Sequence, residues 1–374
     1  MLNTIRKRDF NKLEAYVLQL SKHGIPACDI VVWENHDLVY RTMAGYSDYE
    51  GKIPVSDEDI YNIYSNTKLF TIVAIMQLIE QEKLHLEDKL YQYLPTYKEN
   101  DITIYHLLTM TSGFGYDVDE SPSFQKLMKE TNGEAGTVEV MSCFANDLFY
   151  FSPGERWRYS KSHDVLGAVI EVVSGMRLGV YLKKHIMEPL GMRYTTFDFQ
   201  DPYVQEHVSA LYEYDGKNEK AIPIENKGSA FGKNVECGGQ GLYSCTDDYI
   251  LLVDALANGG VGKTGSQILS ESSIDKIKEP QLDFVKQSQF IISHYKVGYS
   301  YGLGVRTLVD KGYGAKTPIG EFGWDGMTGG YSLVDTKNHI AICYMQNVMG
   351  CDYAWHKVFP DTRDMIYDIL GIRG

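Results

Sequence analysis

A serine and a lysine three positions apart, Ser65 and Lys68, sit in the stretch "YNIYSNTKLFTIVAIMQLIEQ", where a polar, tyrosine-bearing approach turns into an apolar helix. At this spacing both side chains fall on one face of a first helical turn. Backbone N–H groups there lack partners and the helix end carries positive potential. A hydroxyl beside an amine is a nucleophile beside a base, the pairing used in covalent acyl transfer. The plainer alternative is a capping serine followed by a lysine that faces water. The chemical reading needs three further things: an environment that strips Lys68 of a proton lysine ordinarily keeps at neutral pH, a second proton carrier, and an oxyanion site.

Two other stretches could supply the missing parts. "SPGERWRYSKSHDVLGAVIEVVSG" places Tyr159 after a Pro-Gly turn at the entry to a helix, where a phenol can be held rigidly. In a chain with 28 tyrosines, a packing role competes with that reading. "EFGWDGMTGGYSLVD" sets Gly323, Gly326, Gly329 and Gly330 before or at the start of a strand, which lets backbone N–H groups approach a ligand closely. A plain glycine-rich bend is the alternative.

The elements that must position these residues are legible from periodicity. "DIVVWENHDLVYRTMAG" alternates about a polar Glu34-Asn35-His36 turn and predicts a β-hairpin. A helix is expected from Asn66 to about Lys83, with Leu69, Ile72, Val73, Met76, Leu78 and Ile79 in a wide apolar stripe. "HDVLGAVIEVVSGM" predicts a second helix closed by Gly175, and "TDDYILLVDALANGG" a third with Thr246 as its N-cap. The C-terminal third turns to strands in "YSYGLGVRTLVD" and in a hairpin through Thr336-Lys337-Asn338, then ends on the helix "TRDMIYDILG". Strands at both ends with helices between predict an α/β core (α+β in its segregation), built from residues 1–84 and 225–374 and interrupted by a mostly helical insertion over 85–224.

Composition excludes some partners. With 36 basic against 50 acidic residues the formal net charge is −14, which disfavours a nucleic-acid backbone. The N-terminal stretch lacks an apolar signal region and no window of the chain is apolar enough to span a membrane, so a cytoplasmic protein is expected. The six cysteines form no C-x-x-C pair and read as free thiols, and the ten histidines show no metal-ligand spacing.

Taken in order, S-x-x-K, Pro-Gly followed by Tyr-Ser, and a glycine-rich strand entry near the C-terminus resemble the serine β-lactamase and penicillin-binding-protein-like superfamily. The resemblance covers roughly residues 20 to 350 and takes in "ITIYHLLTMTSGF", "EPLGMRYTTF" and "GGQGLYSCTDDYILLVDALANGG". Within it the chain looks like the class C β-lactamase-like branch, and especially the family VIII carboxylesterases, through "YSKSHDVLGAVIEVVSG" and a tryptophan in the third motif. The resemblance implies an antiparallel sheet flanked by helices from both chain ends. It implies Ser65 as nucleophile, Lys68 and Tyr159 as a coupled proton-transfer pair, and an oxyanion hole from the backbone N–H groups of Ser65 and Met327. No metal or organic cofactor is implied, and the partner is a small-molecule ester or β-lactam-like substrate.

Two departures bear on the substrate. Where many relatives have Tyr-x-Asn the third residue here is Lys161, and where they carry Lys-Thr-Gly or His-x-Gly this chain reads Trp324-Asp325-Gly326. Losing an amide and a basic group that orient a β-lactam favours ester substrates. Lys161 either attracts a substrate carboxylate or faces solvent. Lys161, Trp324, Asp325, Gly326 and Tyr116 are expected on the substrate side, with Tyr150 and Trp157 as further wall candidates. A β-lactamase, a D-alanyl peptidase or amidase, and a penicillin-binding or sensor module that is acylated without turnover stay open.

Three literal motif matches are set aside. Lys263-Thr264-Gly265 follows a helix stop and reads as a surface turn. "ANGGVGKT" lacks the first glycine and the preceding strand of a phosphate-binding loop. "GYSYG" around Ser300 is followed by a β-like run instead of the helix a nucleophile elbow needs.

Overall fold

The computed structural model describes residues 8–117, 121–228 and 231–372. Its centre is a seven-stranded antiparallel sheet made from the two chain ends. The N-terminal end gives β1 (Ala27–Glu34) and β2 (Asp37–Gly45). The C-terminal end gives β3 (Tyr299–Tyr301), β4 (Arg306–Leu308), β5 (Phe322–Gly323), β6 (Tyr331–Asp335) and β7 (Ile340–Met345). The spatial order is β2-β1-β7-β6-β5-β4-β3, so β1 and β7, far apart in sequence, pair at the centre from Asp29↔Met345 to Glu34↔Ile340. The β1–β2 link is a two-residue turn with Asn35 and His36 at φ 52° and 69°, the left-handed pair that matches strand twist.

Helices cover both faces, which explains why the central strands are apolar on both sides. Ile340, Ile342 and Tyr344 of β7 join one core with the helices α1 (Asn11–Val17) and α6 (Phe359–Leu370), whereas Ala341, Cys343 and Met345 face the other. That second core holds α2 (Thr67–Glu80), α3 (Ser162–Ser174) and α4 (Thr246–Ala257). Every residue of α2 from Thr67 to Leu78 is buried, as expected of a helix apolar nearly all round. Truncating one of its large side chains, such as Ile72, would cost about 2–5 kcal/mol. The N-cap of α4 is Cys245 in place of the expected Thr246. Its Sγ accepts from the Asp248 N–H at 3.4 Å.

The segment 85–224 has more helix than strand, much of it in short turns, and it also carries a hairpin, Tyr212–Asp215 with Lys220–Pro223, that pairs with Val348–Met349. One hydrophobic cluster continues from α2 through Leu84 into Leu90, Leu107, Val140 and α3, so the chain has no break in its core at residue 84. Among the described residues, no single helix is long and apolar enough to cross a membrane. Among the described residues no two cysteines form a disulfide. The helix α5 (Phe284–His294) packs beside β3.

Candidate active site

Ser65 lies on the 3₁₀ turn Tyr64–Asn66 that leads into α2, and Tyr64 just before it takes a left-handed φ of 40°. Such a backbone is uncommon for a residue with a side chain and bends the chain sharply ahead of the serine. Lys68, one helical turn on, is completely buried. Its Nζ donates to Ser65 Oγ at 3.1 Å, to Tyr116 Oη at 3.1 Å and to the Gly239 carbonyl at 2.7 Å. These three oxygens fix the position of the amine, with Ser65 Oγ within direct proton-transfer distance.

Tyr159 reaches the same point from the loop before α3. Lys68 Nζ lies 4.7 Å from the centre of its ring. The Tyr159 hydroxyl accepts a hydrogen bond from Trp324 Nε1 at 3.0 Å, and the two rings stack with centres 5.5 Å apart. The amine is therefore flanked by two phenols. Tyr116 holds it by hydrogen bond, Tyr159 by its ring face. Burial pushes the Tyr116 phenol well above its ordinary range, with Tyr159 and Asp164 adding to the effect, so it stays protonated.

The turn that carries Trp324 is pressed against the serine turn. Thr328 Oγ1 donates to the Asn62 carbonyl at 2.9 Å, and a Cβ placed on Gly326 would sit 2.6 Å from the Ile63 carbonyl oxygen. Only glycine permits that approach. Gly326 N–H is engaged by the Gly330 carbonyl at 2.7 Å and the Met327 carbonyl accepts from Gly350 at 3.0 Å. Among the described residues, neither the Ser65 N–H nor the Met327 N–H has an internal acceptor. Two unpaired backbone donors on neighbouring turns beside a hydroxyl are the parts an oxyanion hole requires.

Two of the expected substrate-side groups are engaged by neighbouring side chains. Lys161 does not face solvent: it is 4% exposed, with Nζ 4.0 Å from the Phe144 ring centre. Burial lowers its ordinary pKa against the opposing pull of Asp147 and Asp117. Asp325 is held by Lys296 and, at 3.2 Å, by Arg306. Burial alone would raise this carboxyl, but the two cations keep it below its ordinary value. Ser300 sits in β3 with its hydroxyl buried, far from the strand-turn-helix of an elbow. Among the described residues, no group of three or more histidine, cysteine or acidic side chains is arranged to hold a metal.

The family model described as Beta-lactamase matches residues 10–354. The chain belongs to the beta-lactamase family. Among curated relatives of this family member is "Esterase EstB" of Burkholderia gladioli, 27% identical over 350 residues and covering 85% of this chain and 84% of the relative. Among solved structures, "EstCE1, a hydrolase with promiscuous acyltransferase activity" superimposes with a TM-score of 0.80 at 23% identity, covering 96% of this chain and 98% of that one. Simvastatin synthase (LovD) from Aspergillus terreus, as the LovD6 mutant, gives 0.80 at 19% identity over 99% and 100%. The match to this family and its esterase relatives supports a hydrolase.

Three residues of this candidate site were missed in the sequence. His294, at the end of α5, packs 4.9 Å from the Tyr159 ring, 5.1 Å from Trp157 and 5.8 Å from Trp324. Burial, then Lys296 and Lys68, push it down to about 4, so it is a neutral imidazole. A lone histidine after "QFIIS" gives no signal of this. Gly239 was quoted only as part of a resembling stretch. Asp164 stands in the first turn of a helix whose following residues, Val165 to Ile170, are all apolar or glycine, and that position was the available clue.

Proposed function

We propose that this protein is a serine hydrolase that cleaves carboxylic esters through an acyl-enzyme on Ser65. The observation that carries the reading is the Lys68 amine, completely buried and 3.1 Å from Ser65 Oγ. As Oγ attacks the ester carbonyl, its proton passes to the amine, and the Ser65 and Met327 N–H groups receive the developing oxyanion. Tyr159, its oxygen held in place by the Trp324 N–H, gives a proton to the leaving alkoxide and takes one back from the Lys68 ammonium, which returns to the neutral amine. Water then attacks the acyl-enzyme, its proton follows the same path to Lys68, and Ser65 departs reprotonated with the carboxylic acid released.

Esters are favoured over β-lactams by what stands at the third motif. Trp324 offers Tyr159 an indole N–H where relatives place a cation, and Lys161 is folded onto Phe144. A carboxylate-bearing lactam thus loses two orienting groups, whereas an ester with a good leaving alcohol needs neither.

The test is labelling with a fluorophosphonate followed by mass-spectrometric mapping, alongside turnover of short-chain p-nitrophenyl esters, a cephalosporin and a D-alanyl amide. Label on Ser65, ester turnover and loss of both in Ser65→Ala are the expected result. Stoichiometric persistence of a penicillin label without turnover would favour the sensor reading. Preferential cleavage of the lactam or amide would favour the other two. Full ester turnover in Ser65→Ala would end the proposal.

A further inference from the structure

Asp164 lies on the first turn of α3, completely buried. Its Oδ1 accepts from the Gly239 N–H at 2.8 Å, and the carbonyl of that same residue accepts from Lys68 Nζ at 2.7 Å. Gly239 is thus gripped on one side by a carboxylate and on the other by the amine. The fit is tight: a Cβ at this position would stand 2.8 Å from Asp164 Oδ1. The second carboxylate oxygen, Oδ2, is buried with no hydrogen-bond partner among the described residues.

An ionised carboxylate in such a place is costly. Burial pushes Asp164 up to about 6, and Lys68 is the foremost group opposing that rise, followed by the Gly239 N–H and Lys161. The other titratable groups around the amine carry no compensating charge. Tyr116 is a neutral phenol, His163 is held well below its ordinary value by burial and Lys68, and His294 sits at about 4. Tyr159 presents its ring face, and Lys161 adds a second cation on the α3 side.

We propose that Asp164 is a positioning residue for the reaction: through Gly239 it fixes the carbonyl that aims the Lys68 amine at Ser65, and it supplies the buried negative charge opposite that amine. This rests on reading Lys68 as the group that takes the Ser65 proton. The carboxylate then favours the ammonium formed during attack, and the Gly239 carbonyl keeps the amine from rotating away from Oγ.

Asp164→Asn separates the two contributions, because an amide oxygen still accepts from Gly239 while the charge is gone. Turnover of p-nitrophenyl acetate is measured from pH 5 to 9. The acid limb of kcat/KM is expected to move to lower pH by about one unit, with kcat at the optimum down about tenfold. An acid limb that stays in place, whatever happens to kcat, makes Asp164 a packing residue and overturns the proposal.

A second measurement needs no activity. A urea double-mutant cycle of Asp164→Asn, Lys68→Met and the combined variant is expected to be non-additive, the combined variant standing above the sum of the single effects. Additivity would show that the two charges do not sense each other. Since the cycle reads stability, it remains decisive even if Ser65→Ala were to keep full ester turnover and so remove the catalytic reading of Lys68.

Discussion

Tyr116 Oη and Lys68 Nζ are 3.1 Å apart, whereas the hydroxyl of Tyr159 takes its hydrogen bond from Trp324 at 3.0 Å. The two phenols around the amine are therefore not equivalent. Tyr116 is one of three acceptors that fix the amine, and the Tyr159 hydroxyl, which accepts from Trp324, is the one the proposed mechanism uses as proton donor. Replacing Tyr116 by Phe should lower kcat/KM for a p-nitrophenyl ester about 10- to 100-fold, since two acceptors remain. On the proposed mechanism Tyr159→Phe removes the proton donor to the leaving group and should cost about 10²–10⁴-fold, mostly in kcat. Equal losses from the two would contradict this division of labour.

Lys161 offers a check on the side of the cleft. Its ammonium rests on Phe144, and both carboxylate oxygens of Asp147 are buried without a hydrogen-bond partner among the described residues. Lys161→Met should therefore lower the urea midpoint, by about 1–3 kcal/mol in stability, because Asp147 loses a compensating cation. KM for a neutral ester should stay within about threefold. A large rise in KM with unchanged stability would restore Lys161 to a substrate-binding role.

How much of this was legible in the sequence follows from what periodicity records. The β1–β2 hairpin, the three long helices and the pairing of the chain ends into one sheet all announce themselves, because burial on a face repeats with the element. The Ser65–Lys68 pair was legible for the same reason: both lie within one turn. Side-chain direction is not periodic. Nothing in "YSKSH" says that Lys161 turns inward onto Phe144, or that Asp325 is drawn to Lys296 and Arg306 on strands and loops separate from its own. His294 escaped because its neighbours Tyr159 and Trp324 come from two other elements, so no local pattern marks it.

His294 also carries a pH signature. Its value of about 4 lies below the ordinary 6.5, so the native state prefers the neutral ring. The unfolded chain binds the proton first as pH falls. The stabilising contribution is complete above pH 6.5 and is lost progressively as pH drops towards about 4, amounting to about 3 kcal/mol at most. Asp59 and Asp164, both raised to about 6, act in the opposite direction over the same range, so the comparison must be between variants. Urea unfolding of the parent and of His294→Phe at several pH values should show the parent losing more stability between pH 6.5 and 4. Parallel curves would mean that His294 titrates normally.

The oxyanion pair can be tested without touching a reacting side chain. The Met327 N–H has no internal acceptor among the described residues, and its own side chain is 47% exposed, so Met327→Ala should keep ester turnover within a few-fold. Met327→Pro deletes the N–H itself and should lower kcat about 10²–10³-fold. Gly326→Ala supplies the companion result: its Cβ would meet the Ile63 carbonyl oxygen at 2.6 Å and push the whole turn off the serine. Both kcat and thermal stability should fall in that variant, because a backbone atom cannot step aside as a side chain can. Loss of activity in Met327→Pro with an unchanged melting temperature assigns the effect to the missing donor. A Met327→Pro enzyme as fast as Met327→Ala would remove this N–H from the mechanism.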